Sequence, residues 1–261
     1  GEMAAGIAHE IRNPLGSIQL YVQALAEDVS GEPGPAALCG KTLRAVERMD
    51  AIVHDVLLFA REMKVERRAM TAASLLTATA NEAEGLLATA GVKLEARLDD
   101  AEALVIEADH RLLTQAVGNL VRNAVEAMRE AESEPMRLML HASRRRLRRP
   151  DGKRVDRAVI VVGDSGPGID DEVLQRMFNP FFTTRRTGTG LGLAIVHRIV
   201  DAHGGEINVD SSPGEGTRFE LWLPLAGREQ RDGEGDRELV IVTNGKAANG
   251  RAERTYAAET S

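Results

Sequence analysis

Four short clusters of residues could carry chemistry, and their spacing limits what that chemistry is. The first is His9, with Glu10 beside it and Asn13 one helical turn further on. Ile7 and Ile11 lie two positions either side of His9. Two residues turn a helix by ~200°, so His9 faces away from that apolar seam and into solvent. An exposed imidazole beside a carboxylate and an amide is a workable nucleophile with a base and a water-orienting group. A plain surface histidine is the competing reading. The second cluster is Asn119 and Asn123, four apart on one helix face that Glu126 continues. Two neutral amide oxygens can complete the shell of a magnesium ion whose other ligands are phosphates and waters. They could equally tie a loop to the helix.

The third cluster is the run from Val159 to Ile169, in which an apolar strand delivers one carboxylate, Asp164, into a turn holding Gly166 and Gly168. Such a carboxylate can accept from an exocyclic amine, and the glycines let a flat ring lie against backbone. An ordinary strand-end aspartate is the alternative. The fourth is Gly188, Gly190 and Gly192, which open a helix. Their N–H groups can approach phosphate oxygens at a helix end that favours negative charge. No Gly-Lys-Ser/Thr follows, and no βαβ unit frames the glycines, so neither a P-loop nor a dinucleotide fingerprint fits. Just upstream, Phe178, Phe181 and Phe182 stand beside Thr183, Thr184, Arg185 and Arg186, an apolar anchor for a cationic flap over phosphates.

The elements that must position these residues follow from periodicity. Apolar residues at Met3, Ile7, Ile11, Leu15, Ile18, Val22, Leu25 and Val29 make one helical seam. The stretch Ser30–Pro35 breaks the helix, and a second seam runs from Leu43 through Val46, Met49, Val53 and Val56 to Met63. Two antiparallel helices cannot bury both seams alone, which predicts a four-helix bundle formed by two copies. From Thr71 the pattern mixes α and β. Thr71 caps a helix ending near Gly91, and Asp109 caps another reaching about Ala131. Strands are expected at Val92–Leu98, Ala103–Ala108, Met136–Ser143 and Arg157–Val162, the last two flanking a solvated loop rich in arginine. A closing hairpin follows at Glu206–Asp210 and Thr217–Leu223. The fold class is α+β: a helical-hairpin dimerisation domain (1–67), then an α/β sandwich (68–225) with its sheet covered on one face. Residues 226–261 read as a disordered tail, within which Glu238–Val242 is one strand or the start of a further domain.

Composition excludes other classes. The net charge is −7, so no global basic field marks a nucleic-acid binder. Aromatic residues are 3% of the chain, too few for a base-stacking platform. The single cysteine, Cys39, rules out an internal disulfide framework. No uncharged stretch could span a bilayer. The chain starts inside a helix without Met and reads as a cytoplasmic piece of a longer protein, without membrane contact of its own but compatible with a membrane-anchored parent.

In this order the clusters resemble the boxes of the sensor histidine kinases of two-component signalling, especially the nitrogen-regulation-like branch. Ala8 to Leu15 resembles the H box, Asn119 to Ala124 the N box and Asp164 to Gly168 the G1 box. Met177 to Phe182 resembles the F box and Gly188 to Gly192 the G2 box. The resemblance implies a Bergerat-type ATP-binding domain after the hairpin. It makes His9 the phosphorylated residue, Glu10 its base, and Asn13 the residue orienting water for dephosphorylation of a receiver. Asn123, with Asn119, would hold Mg2+; Asp164 would read the adenine amine, with Gly166 and Gly168 shaping that pocket. Gly188, Gly190 and Gly192 would flank the phosphates, with Thr184 and Arg185 in the lid and Thr217 on a closing strand nearby. The family usually has Lys where Arg185 stands, and Arg keeps the charge with a different geometry.

The function so implied is ATP-dependent autophosphorylation, phosphoryl transfer to an Asp of a response regulator, and dephosphorylation of that regulator. The implied cofactors are ATP and Mg2+, and the implied partners a receiver domain and a second copy, not nucleic acid. Two alternatives share the ATP fold. An ATPase clamp of the gyrase type uses Glu at the first N-box position, where Asn119 cannot act as a base. An inactive ATP-binding scaffold would need a broken box.

Overall fold

The computed structural model describes residues 2–31, 33–60, 63–98, 101–148, 154–185, 188–227, 242–243 and 246–247. The chain divides into two compact units, Gly1–Met63 with Thr183–Leu191, and Lys64–Phe182 with Gly192–Ser261.

In the first unit, α1 (Glu2–Asp28) and α2 (Pro33–Ala60) pack as a hairpin. α1 runs through Pro14 without a break. α2 starts at Pro33, inside the stretch expected to be a turn, because Pro is at home in a first helical turn, where its missing N–H costs nothing. The predicted seams split in two. Of their residues Leu15 and Val46 are buried, whereas Ile11, Ile18, Leu25, Met49 and Val56 remain exposed in the single chain; outside the predicted seams Cys39 and Leu57 are also buried and Ile52 is exposed. The apolar stripe is therefore wider than one helix partner can cover. Among the described residues no helix is long and apolar enough to cross a membrane.

In the second unit, β1 (Arg68–Thr71) leads into α3 (Ala72–Ala90). Thr71 caps α3 by accepting from Ser74 N–H at 3.2 Å, and Gly91 ends it in the left-handed region. β2 (Lys93–Arg97) and β3 (Val105–Ala108) follow. Asp109 then caps α4 (His110–Glu130), accepting from Leu112 N–H at 3.1 Å. β4 (Arg137–Arg148), β5 (Arg154–Asp164), the short α5 (Asp171–Leu174), α6 (Gly192–Ala202), β6 (Glu206–Ser211) and β7 (Thr217–Pro224) complete the unit.

The main sheet has the order β2-β4-β5-β7-β6, with β2 parallel to β4 and the remaining pairs antiparallel; β1 and β3 form a separate ribbon. One face of the sheet presents Leu138, Leu140, Ile160, Val162, Phe219 and Leu221, all buried. Against it pack α3, α4 and α6, whose buried residues include Leu75, Leu113, Val117, Leu120 and Ile195. The other face is not bare. Val159, Val161 and Trp222 form a second buried cluster there, flanked by Leu147.

The arginine-rich segment differs from its expectation as a solvated loop. β4 and β5 pair from Leu138↔Asp164 out to Arg148↔Arg154, so Arg144, Arg145, Arg146, Arg154 and Arg157 stand on paired strands. Alternation explains it: Leu147 and Val155 face each other on one side of the ladder, and the cations find carboxylates. Arg145 donates to Glu220 at 3.0 Å and Arg146 to Asp156 at 3.0 Å. The tail expected after residue 225 lies almost wholly outside the described residues. The short β8 (Val242–Thr243) and β9 (Lys246–Ala247) pair with each other.

The helix ends of the second unit meet at a buried histidine. His203 Nε2 accepts from the backbone N–H of Asp109 at 3.0 Å, and Nδ1 lies 2.7 Å from the carbonyl of Ile199. Burial pushes the His203 pKa below its ordinary 6.5, and Arg67 acts in the same direction; the Ile199 bond and Asp109 oppose them. Burial lowers His141 and His197 as well. Below about pH 6.5 the unfolded chain takes up protons that the folded chain refuses, so stability is complete above that value and falls as the pH drops. The melting temperature should therefore fall between about pH 7 and 5, and fall less in His203→Gln. An equal fall in both proteins would remove His203 from the linkage.

Candidate functional site

Asp164 closes β5 and begins a tight loop. Its Oδ1 accepts from Gly166 N–H at 2.8 Å, which fixes the direction of the carboxylate. Ser165 turns the other way, donating to the Pro135 carbonyl at 2.6 Å and accepting from Arg137 N–H at 2.9 Å. The loop is held from the opposite side by the turn between β6 and β7. Gly214 N–H donates to the Pro167 carbonyl at 2.7 Å, and Ile169 N–H donates to Ser211 Oγ at 2.9 Å. Ser211 in turn donates to the Gly216 carbonyl at 2.8 Å.

Two glycines make that approach possible. Gly168 (φ +75°) has no room for a Cβ, which would collide with the Ser212 carbonyl oxygen, and Gly216 (φ +83°) none because of the Asp164 carbonyl oxygen. Thr217, buried, pairs with Asp164 across the ladder and lies with its hydroxyl 3.0 Å from Ser211 Oγ. Asp164, Gly166, Gly168 and Thr217 are thus one constellation.

Asn119 and Asn123 sit on α4, both half-buried at the rim of the apolar face formed by Ala116, Leu120, Ala124 and Met128; Glu126 is exposed. α4 reaches the Asp164 loop through Met128, whose Sδ is 3.6 Å from Ser165 Oγ. The loop, the amides and Thr217 belong to one unit. Two half-buried amides one turn apart on a packed helix are a donor set for a hard cation whose charge is met mainly by phosphate, while the Asp164 carboxylate, held by Gly166 N–H, is an acceptor set apart from them.

The approach to the glycine stretch is built from ring contacts. Phe178 packs at 5.8 Å from the His197 ring on α6, and the Arg176 guanidinium lies 4.7 Å over the Phe182 ring. In the other unit, Thr183 Oγ1 accepts from Arg185 N–H at 3.1 Å, and Thr189 Oγ1 accepts from Leu191 N–H at 3.2 Å. Thr184, Arg185, Gly188 and Gly190 fall in that segment, and Gly192 begins α6. His9, Glu10 and Asn13 lie on α1 as expected from the seam, and their side chains are outside the described residues.

Sequence reading passed over Ser165, Ser211 and Met128. Ser211 precedes Ser212-Pro213-Gly214, which signals only a hairpin turn, and its hydrogen bonds reach 42 residues back in the chain. Met128 reads as one more core position on an amphipathic helix.

Comparison with known proteins gives the arrangement a family. Residues 1–63 match the His Kinase A (phospho-acceptor) domain, and residues 108–227 match the histidine kinase-, DNA gyrase B- and HSP90-like ATPase. The signal transduction histidine-protein kinase AtoS of Escherichia coli K12 is 36% identical over 231 residues, covering 86% of this chain and 35% of AtoS. The sensor histidine kinase ZraS of Salmonella typhi is 34% identical over 231 residues, covering 88% of this chain and 47% of ZraS. The chain thus spans between a third and a half of these relatives. Full-length ShkA, crystallised with AMPPNP, superposes with a TM-score of 0.68 at 27% identity, over 86% of this chain and 46% of ShkA. The kinase ThkA, crystallised with the response regulator TrrA, gives 0.57 at 27% identity, over 86% of this chain and 61% of that one. A phospho-acceptor hairpin followed by this ATPase fold, with sensor-kinase relatives aligned across both, places the chain among the sensor histidine kinases, of which it carries the catalytic core.

Proposed function

We propose that this chain is an ATP-dependent protein histidine kinase of the nitrogen-regulation-like branch that phosphorylates itself on His9 and passes the phosphoryl group to an Asp of a response regulator. Its domains are the phosphotransfer hairpin over 1–67 and the ATP-binding sandwich over 68–225. The observation that carries the reading is the presence in one chain of a phospho-acceptor match containing His9 and an ATPase match containing Asn119, Asn123 and Asp164.

Adenine is read by Asp164, whose carboxylate is already oriented by Gly166 N–H and accepts from the exocyclic amine. Asn123, with Asn119, would hold Mg2+, which would supply charge neutralisation for the triphosphate. Gly188, Gly190 and Gly192 offer backbone N–H groups to the phosphates, with Thr184 and Arg185 closing over them. Transfer demands alignment and charge neutralisation more than covalent help, because its transition state is loose. The γ-phosphorus leaves the β–γ bridging oxygen of ATP and bonds to a ring nitrogen of His9, releasing ADP. Glu10 takes or shares the proton on the other ring nitrogen and so raises the nucleophilicity of the first. The phosphoryl–nitrogen bond stays reactive enough to serve an aspartate acceptor on the receiver. Asn13 orients water against the phosphorylated receiver, giving the reverse activity. The exposed apolar face of the hairpin is covered by a second copy, and the chain works in the cytoplasm as a homodimer.

Three experiments test this. With γ-labelled ATP and Mg2+, label should enter the protein and be lost in acid but kept in base, and His9→Gln should take up none. Label in His9→Gln refutes the assignment, and free phosphate without protein label favours an ATPase clamp. Gly216→Ala should weaken binding of a fluorescent ATP analogue by about tenfold or more, ~1.4 kcal/mol, because the Asp164 loop must shift; unchanged affinity would separate that loop from the nucleotide. Ile18→Glu should convert the dimer to a monomer in light scattering while the ATP analogue still binds. A persistent dimer would place the interface elsewhere.

A further inference from the structure

The chain that leaves the hairpin is fastened to the second unit by consecutive residues. Glu66 N–H donates to Asp109 Oδ2 at 3.2 Å, while the other oxygen of that carboxylate caps α4 through Leu112 N–H at 3.1 Å. The next residue, Arg67, donates from Nη2 to the carbonyl of Ala202 at 2.9 Å, at the C-terminus of α6. Arg68 then enters β1, paired with Ala108 of β3. The two helix ends are joined to each other by the Asp109 N–H to His203 Nε2 bond. Because Nε2 accepts, the ring proton sits on Nδ1 and is donated to the Ile199 carbonyl, so a neutral imidazole in one tautomer serves both partners.

Capping α4 needs only one carboxylate oxygen. The second oxygen of Asp109 serves a residue 43 positions away, and Arg67 reaches across 135 positions to a carbonyl that α6 would otherwise leave to water. α4 carries Asn119 and Asn123, and α6 begins at Gly192 of the glycine stretch. The segment between hairpin and sandwich is therefore bonded to both helices that bear nucleotide-binding residues.

We propose that Arg67, Asp109 and His203 form a linker latch: positioning residues that hold the 64–68 segment onto the N-terminus of α4 and the C-terminus of α6, so that nucleotide binding and the setting of the linker bias each other. This rests on the kinase reading above. Asp109 and His203 are buried and support the fold, whereas Arg67 is exposed and its bond adds little to stability. Coupling must run both ways if it exists.

The test uses the whole chain and two readouts. Hydrogen exchange is followed in residues 64–68 with and without a non-hydrolysable ATP analogue. Binding should slow exchange in the wild type by about threefold or more, and this protection should vanish in Arg67→Ala and largely return in Arg67→Lys. Phosphorylation at saturating ATP should fall at least about fivefold in Arg67→Ala, with melting temperature nearly unchanged and analogue affinity weakened by no more than about threefold, the factor by which binding protects the linker. A Glu66→Pro variant, which deletes the N–H given to Asp109, should behave like Arg67→Ala. Absence of linker protection in the wild type overturns the latch, as does normal phosphorylation in both variants or a loss that follows melting temperature. A wild type that shows linker protection but takes no label supports the latch and fails the kinase reading alone.

Discussion

Two backbones touch where side chains would keep them apart, and the end of the sheet where β5 and β7 meet depends on that contact. The loop after β5 and the turn after β6 meet at Gly168 against Ser212 and at Gly216 against Asp164. The contact lets Gly214 N–H reach the Pro167 carbonyl and lets one hydroxyl, Ser211, hold Ile169 and Gly216 together. Asp164 is then aimed by its neighbour Gly166 rather than left to solvent. The antiparallel register that brings Thr217 opposite Asp164 follows from the same closure.

α4 is the second support. Its buried face, from Leu112 to Met128, locks it on the sheet, and this leaves Asn119 and Asn123 at the rim with only small freedom to turn. Folding has thus already ordered the backbone that carries both amides. The phospho-acceptor side is built differently. The hairpin retains exposed Ile18, Leu25 and Met49, an apolar stripe that its own two helices do not cover.

The arginine-rich stretch between Arg144 and Arg157 shows where composition misleads. A run of cations reads as a solvated loop because charge is costly to bury. In the fold, alternation decides instead: every second residue faces its own side of the ladder, Leu147 and Val155 pay for the pairing, and Glu220 and Asp156 meet the cations. The Arg145 guanidinium also lies 5.9 Å over the Trp222 ring, so this one cation covers an apolar cluster on a sheet face expected to be bare.

By itself the sequence determined what depends on near neighbours. Thr71 and Asp109 announced their caps, heptad spacing announced the hairpin, and five boxes in order announced the family, because helix caps, periodicity and loop glycines are local chemistry. Only the tertiary structure decided the rest. Nothing near Ser211 in the chain indicates Ile169, nothing near Glu66 indicates Asp109, and nothing near His203 indicates that its ring accepts from a helix N-terminus 94 residues earlier. Those bonds join segments that approach only after the sheet has closed, and strand order with its register is set by the burial of all its side chains together rather than by any one stretch.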